Sequence, residues 1–464
     1  MAIFEKFLTE TMPKIKRLSE LAAESTLIDD TFYNKYDVKR GLRDLNGKGV
    51  LAGLTDISDI VGFEENPNGS FKHTPDGKRI PADGKLRYRG IDIGEIVNGF
   101  TKEQRFGFEE VAYLLLFGSL PTKKELTGFN EILGGFRMLP HSFVRDVIMK
   151  SPSKDMMNGL ARSVLFLYSY DDNPDDITLP NVLRQCLQLI AQFPILSVYS
   201  YLVNEYSHGL TSLIIHRPDR TLSTAENILM MMRDDGKFTE TEARVLDVML
   251  VLHAEHGGGN NSTFSTHVLT SSGTDTYSVM AAALGSLKGP RHGGANVKVM
   301  RMMEDMKSRI KDHSDESIRQ YLADLLDNKA FDRQGLIYGM GHAVYTISDP
   351  RTQVVRSFVE RLAAEKNMSE EFELYSRVEK LAPEIIADKR KIYKGVSANV
   401  DFYSGLVYTM LNIPPEMFTP AFATARIVGW SAHRIEELVN KGKIIRPNYK
   451  CVSQRTNYID LNNR

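Results

Sequence analysis

The sequence predicts a mainly α-helical protein, and three observations carry that expectation. Thr122 to Glu125, Ser223 to Glu226 and Thr239 to Glu242 each have the Ser/Thr-x-x-Glu spacing of a capping box. In that motif the hydroxyl and the carboxylate satisfy opposite orphan N–H groups of the first helical turn. Apolar residues follow at helical spacing, as in Val245, Val248, Met249 and Leu252. Strand signals, by contrast, are confined to about residues 48–62 and 85–91, in GVLAGLTDISDIVGF and KLRYRGI.

Taken in order, the first 40 residues read as a helical, charged extension, followed by the first strand. Residues 64–84, EENPNGSFKHTPDGKRIPADG, form a polar loop rich in Gly and Pro. After the second strand, helices are predicted over 103–117, 123–135, 224–233 and 240–254, the last stopped by Gly257-Gly258-Gly259. Further helices follow at 277–287, 296–310, 315–326, 351–365, 370–386 and 423–441. Glycine-rich points at 285–294, 335–341 and 395–405 are turns or hinges. No internal repeat or low-complexity tract interrupts the chain.

Composition narrows the function classes. The 464 residues are 42% hydrophobic and 25% charged, enough for an ample core without disulfides or metal clips. The 58 basic and 59 acidic residues leave a net charge of −1, which argues against a general nucleic-acid binder. No apolar run approaches the ~20 residues of a membrane helix, so no membrane partner is expected. The N-terminal stretch mixes Glu with Lys and has no apolar centre, unlike a signal peptide or a mitochondrial presequence. Cys186 and Cys451 have no redox or metal spacing, which fits a reducing compartment. A cytoplasmic protein is expected.

Three histidines share one setting. His256 lies in HAEHGGGNN, His292 in GPRHGGAN and His342 in YGMGHAVY; each has a glycine neighbour and falls at a predicted helix end. Glycine lets another group approach the backbone, and helix ends present free N–H or C=O groups, so the setting suits ligand contact. Taken singly, each histidine reads more readily as a loop residue bonded to nearby backbone; three together favour ligand contact. His253 and His256 stand three apart, but His-Ala-Glu-His is not a zinc motif and no cysteine cluster assists it, so no metal is expected. Gly339-Met-Gly341 lacks the third glycine and the βαβ context of a dinucleotide site, and no phosphate loop is present. Asp401, in VSANVDFYSG, has apolar and aromatic neighbours that would raise its pKa and make it a usable base. Its alternative reading is a helix N-cap.

GPRHGGAN, GMGHAVYTISDPR and NVDFYSG, in this order, resemble the three signature segments of the citrate synthase family. LRYRGIDI, EEVAYLLLFGSLPT, LHAEHGGGNNSTF and FATARIVGW extend the resemblance over roughly residues 40–450. The resemblance implies an acyltransferase of the citrate (Si)-synthase type, converting the acyl group to alkyl on transfer. It would condense oxaloacetate with acetyl-CoA and hydrolyse citryl-CoA; 2-methylcitrate synthase, using propionyl-CoA, is the near alternative. A lyase and a non-catalytic helical binding protein are the more distant ones. No cofactor is implied beyond acetyl-CoA as substrate.

By the same resemblance Asp401 matches the base, His292 the donor to the thioester oxygen and His342 the group that polarises the oxaloacetate carbonyl. His256, Arg351, Arg426 and Arg446 match oxaloacetate ligands, Arg446 reaching across from the partner of a homodimer. Ile337, Tyr338, Gly339, Met340 and Gly341 match the coenzyme A adenine loop, with Lys391, Lys394 and Arg43 as phosphate partners. Arg291 departs from the small or apolar residue many members carry. The implied fold is all-helical with two domains around an active-site cleft. A large domain takes residues 1–292 and 406–464, and a small one takes 293–405.

Overall fold

The computed structural model describes residues 2–43, 49–67, 70–77, 79–290, 292–342, 344–391 and 395–464. Among them are seventeen α-helices and one three-stranded sheet, so the fold is mainly α. The chain divides into two compact units, Met1–Gly53 with Arg446–Arg464, and Leu54–Ile445.

The first unit holds α1 (Ala2–Thr26) and α2 (Asp30–Lys35). Its two chain segments meet where the Lys450 ammonium lies 5.8 Å from the Tyr36 ring centroid. Helix α1 exposes Met12, Ile15, Leu18 and Leu21.

The second unit begins with an antiparallel sheet, β1 (Ser58–Phe63), β2 (Pro81–Tyr88) and β3 (Ile91–Asp92), in the order β1-β2-β3. Ser58 pairs with Tyr88 and Ile60 with Leu86. The first strand starts at Ser58 rather than near 48, because residues 49–56 are exposed and Gly49 makes only an isolated bridge, with Arg43. The expected loop 64–84 contributes the start of β2. It also holds two isolated bridges, Glu65 with Phe71 and His73 with Arg79. The Arg79 guanidinium sits 4.3 Å from the Phe71 ring and 5.4 Å from that of Phe63, which ties this excursion back to β1.

Helices then follow as α3 (Ile93–Lys102), α4 (Phe108–Phe117), α5 (Lys123–Phe136), α6 (Met156–Tyr168), α7 (Leu179–Ser207), α8 (Thr224–Met232) and α9 (Glu240–His253). Next come α10 (Asn261–Ser271), α11 (Thr276–Leu287), α12 (Ala295–Arg309) and α13 (Asp315–Leu326). The chain closes with α14 (Pro350–Glu365), α15 (Ser369–Arg390), α16 (Val400–Met410) and α17 (Phe418–Val439). All three capping boxes form, at the starts of α5, α8 and α9.

Helix α4 begins at Phe108, not 103. The backbone N–H groups of Gly107 and Phe108 donate to the buried Asp247 carboxylate at 2.6 and 3.2 Å, which supplies orphan donors with acceptors at that point. The missed α7 is buried on every side through its middle, with its polar residues spread around it, so it has little amphipathic signal. It is long and apolar enough to cross a membrane, yet most of it is buried within the protein and it packs on α17 as a core helix. Around this pair, α10 packs on α11, α11 on α6, and α16 against both α12 and α14.

Candidate active site

The site is built on chain turns between helices. The first turn follows α9. Tyr88 of β2 places its hydroxyl 3.0 Å from the Val251 carbonyl oxygen and 2.9 Å from that of Glu255, and accepts the Glu255 N–H. Ser58 of β1 accepts the Gly257 N–H at 3.0 Å and donates to the Glu255 carboxylate at 3.0 Å. The small sheet therefore buttresses the turn that carries His256. Gly257 has φ +80, and a Cβ there would stand 2.3 Å from Ile60 Cδ1, so both backbone and space require glycine.

His342 lies against this turn, its ring centroid 5.0 Å from that of His256. The backbone N–H groups of Val344 and Tyr345 both donate to His342 Nδ1, at 3.0 and 3.2 Å. A backbone N–H always carries its proton, so Nδ1 is an acceptor and the ring proton is on Nε2. The Tyr345 ring stacks on His342 at 4.6 Å and 23° and meets His256 edge-on at 5.6 Å. His256 is buried, and burial and the nearby Arg351 charge hold its pKa well below the ordinary histidine value, so the ring is neutral. Its Nε2 is buried with no hydrogen-bond partner among the described residues.

His292 precedes α12. Its Nε2 accepts the Ser262 backbone N–H at 3.3 Å and lies 3.0 Å from Ser262 Oγ, which in turn accepts the Trp430 indole N–H at 3.2 Å. By the same reasoning the His292 proton sits on Nδ1. Burial, then the Arg426 charge, push its pKa down to about 4, so the ring is neutral at physiological pH. Two neutral imidazoles thus have their protons assigned by backbone donors.

Two arginines complete the polar interior. Arg351 is 4% exposed; its Nε and Nη2 form a paired contact with Asp349 at 3.0 and 2.7 Å, and Asp349 also caps α14. Arg426, on α17, is 1% exposed. Its Nε donates to the His253 carbonyl oxygen at 2.7 Å and its guanidinium lies 4.7 Å from the Phe422 ring centroid. No carboxylate pairs with it among the described residues. The Glu255 charge acts on it from a distance, but no carboxylate fills its remaining donors, so the arrangement favours an anion beside it.

Asp401 stands in the first turn of α16, half-buried. Asn399, not Asp401, is the N-cap; its side chain accepts the Asp401 N–H at 3.1 Å. A helix N-terminus favours the ionised carboxylate, but burial outweighs it. Burial, with the Asp349 charge adding, raises the Asp401 pKa to about 6 against the lowering charges of Arg351 and Arg426. The loop before His342 is bonded to this segment. Gly341 N–H donates to the Ser397 carbonyl oxygen at 2.7 Å, Asn399 N–H to that of Gly339 at 2.9 Å, and the Asn399 amide to that of Gly341 at 2.9 Å.

Comparison with known proteins now has a site to rest on. The family model described as "Citrate synthase, C-terminal domain" matches residues 44–448. The chain belongs to the citrate synthase family. The citrate synthase of Synechocystis sp. is 36% identical, over 79% of this chain and 84% of that one. A protein named 2-methylcitrate synthase from Shewanella oneidensis is 32% identical, over 80% and 90%. The crystal structure of citrate synthase from Thermotoga maritima is 30% identical and superposes with a TM-score of 0.69, covering 92% of this chain and 99% of that one. This family member is accordingly a transferase in kind, on the helical fold the sequence predicts.

Within this citrate synthase family member, His256, His342 and His292 share one polar interior with Arg351, Arg426 and Asp401. The rings of His256 and His342 touch, and the Arg426 charge acts on His256, His292 and Asp401 alike. Of the adenine-loop residues, Ile337 is buried and the Tyr338 hydroxyl donates to Asp332 at 2.6 Å. Met340 forms a backbone bridge with Ala398. Lys391 is exposed at the end of α15, while Lys394 and Arg291 lie outside the described residues. Arg43 and Arg446 belong to the first unit. Sequence reasoning missed Ser262, Tyr345, Asp349 and Asn399. Asn399 and Asp349 left a signal, each an N-cap residue at a helix start, Asp349 directly before Pro350.

Proposed function

We propose that this protein is a citrate synthase, condensing oxaloacetate with acetyl-CoA and hydrolysing citryl-CoA to citrate and coenzyme A. The observation that carries the reading is one buried polar interior that holds two arginines, neutral histidines and a carboxylate of raised pKa. Arg351 and Arg426 suit a dianion such as oxaloacetate, with His256 in the same buried interior. His342 would donate its Nε2 proton to the ketone oxygen and polarise it. Asp401 would take a methyl proton from acetyl-CoA while His292, through Nδ1–H, holds the thioester oxygen as it becomes an enol. The enol carbon then bonds to the ketone carbon, the ketone oxygen gains a proton, and water cleaves the resulting thioester to release the thiol.

Domain closure of 293–405 over 1–292 and 406–464 would exclude water until the carbon–carbon bond has formed. Ile337 to Gly341, Lys391, Lys394 and Arg43 are assigned to coenzyme A. A cytoplasmic homodimer in which Arg446 serves the partner's site completes the reading. Two free cysteines, the exposed Arg446 and the exposed apolar residues of α1 support it.

Thiol release from acetyl-CoA, with and without oxaloacetate and repeated with propionyl-CoA, tests the assignment. Release that requires oxaloacetate and favours acetyl-CoA is expected. Preference for propionyl-CoA would move the protein to 2-methylcitrate synthase, a reading favoured by the similarity to the Shewanella oneidensis protein of that name. One methylene is worth only ~1–3 kcal/mol in a pocket, so both substrates must be measured. Mixing inactive Asp401→Asn and Arg446→Ala chains should restore activity if the sites are shared, because one site of each mixed dimer then carries neither change.

A further inference from the structure

A group of side chains able to ligate a metal lies behind the turn that carries His256. His267 on α10, with His433 and Glu436 on α17, bring one ligand atom each to within 4.8 Å of one another. His267 Nε2 is 3.1 Å from His433 Nδ1, and Glu436 Oε2 is 3.6 Å from that same Nδ1. Two ligands bound ~2.0–2.2 Å from a tetrahedral zinc ion stand about 3.3–3.6 Å apart, close to both separations.

The outer nitrogens are already committed. His267 Nδ1 lies 2.8 Å from Glu437 Oε2, and His433 Nε2 lies 3.1 Å from Glu255 Oε1. A carboxylate only accepts, so both outer nitrogens carry protons and both inner nitrogens turn lone pairs toward each other. That is the carboxylate–histidine–metal arrangement, in which the outer bond fixes the tautomer and aims the inner nitrogen at the ion. Without an ion, a shared proton must lie between the rings. Glu436 Oε1 accepts the Asp56 N–H at 2.8 Å, whereas its buried Oε2 makes no hydrogen bond among the described residues and meets only His433 Nδ1, as an ion pair at 3.6 Å. Over the gap stands Gly258, where a Cβ would lie 3.6 Å from His267 Nε2 and 3.8 Å from His433 Nδ1. That space suits a fourth, water ligand. The side chains of His267 and Glu436 each keep 13% of their surface exposed, which leaves a way in.

We propose that His267, His433 and Glu436 bind a divalent ion of the zinc class, with water in the fourth position, clamping α10 to α17. Two imidazoles and one carboxylate are a borderline donor set that prefers Zn2+ or Co2+ to Mg2+ or Ca2+. The ion takes the place of the shared proton, which leaves to solvent.

The test uses the full chain, stripped by a chelator, dialysed and titrated with Co2+. Visible bands of a tetrahedral cobalt centre, saturating at one ion per chain and bleached by Zn2+, are expected, with a rise in Tm when Zn2+ is added. His267→Gln and Glu436→Gln should each abolish the bands and the Tm shift, while His141→Gln, at an exposed site, should change neither. Glu436→Gln keeps an oxygen for the Asp56 N–H, so it reads the site even if the histidine variant folds poorly. Glu437→Gln, which disturbs only the outer bond, should weaken Co2+ binding by ~10–100-fold. Absence of the bands in the unaltered chain, or their persistence in both ligand variants, would overturn the proposal.

Discussion

Two buried arginines of this protein are held in opposite ways. Arg137 is enclosed by acceptors: Glu109 at 3.3 Å, the Asp219 carbonyl oxygen at 3.2 Å, the Leu222 carbonyl oxygen and the Thr224 hydroxyl. Glu109 in turn accepts both the N–H and the hydroxyl of Thr224 at 2.7 and 2.8 Å. Arg426 has one carbonyl and one aromatic face, and no carboxylate hydrogen-bonded to it among the described residues, Glu255 acting only through its charge. A closed network serves the fold, because every buried charge has its partners within the chain. An open one has an interaction left to make, and the same region holds His256 with an unpartnered nitrogen and a carboxylate of raised pKa.

The largest effect expected from this contrast is at Asp401. Asp401→Asn should lower kcat by about 10³-fold or more, in the upper range of general-base effects, while oxaloacetate still binds by calorimetry. Loss of binding together with turnover would make the residue structural. In the unaltered protein kcat/KM should fall as pH drops below about 6, where the carboxylate gains its proton.

The same substitution should stabilise the fold at neutral pH. Because the folded pKa, about 6, lies above the ordinary 3.8, the folded state binds the proton more tightly than the unfolded chain. Stability is therefore lost as pH rises from about 4 through 6, by roughly 2–3 kcal/mol. Denaturant unfolding of Asp401→Asn should show that gain at pH 8 and none near pH 4.

The arginines themselves should separate next. Arg137→Leu strands Glu109 and should cost about 3–5 kcal/mol of stability, with KM unchanged. Arg426→Leu removes a charge that no carboxylate hydrogen-bonds among the described residues, with Glu255 acting on it only through its charge, so stability should fall less than in Arg137→Leu while KM for oxaloacetate rises by about 10²-fold. Equal stability losses in the two variants would dissolve the distinction. The smallest effect belongs to Ser262→Ala. It removes a hydroxyl beside His292 but keeps the backbone N–H that assigns the tautomer, so kcat should fall by less than about tenfold, the scale of one hydrogen bond.

Much of the site was legible because its residues sit in local settings a sequence can display. His256, His292 and His342 stand beside glycines at helix ends, and Arg351 and Arg426 lie in segments that match the family. The capping boxes were legible for the same reason, since their hydrogen bonds span three residues. Helix α7 was not, because a helix buried on every side through its middle has little periodicity to read. Nor was the start of α4, which depends on Asp247, about 140 residues further along the chain.

The sequence by itself determined the helical class, the family and the chemical types at the site, since these depend on local spacing and residue identity. Only the tertiary structure decided which nitrogen of each histidine holds its proton, because Ser262, Val344 and Tyr345 supply the N–H groups that settle it. It also decided that Asn399 rather than Asp401 caps α16, leaving the Asp401 carboxylate out of that cap. The sequence carried no expectation of a metal, and His267 and His433 are 166 residues apart. Contacts across such separations depend on how helices pack, and no local pattern encodes that packing.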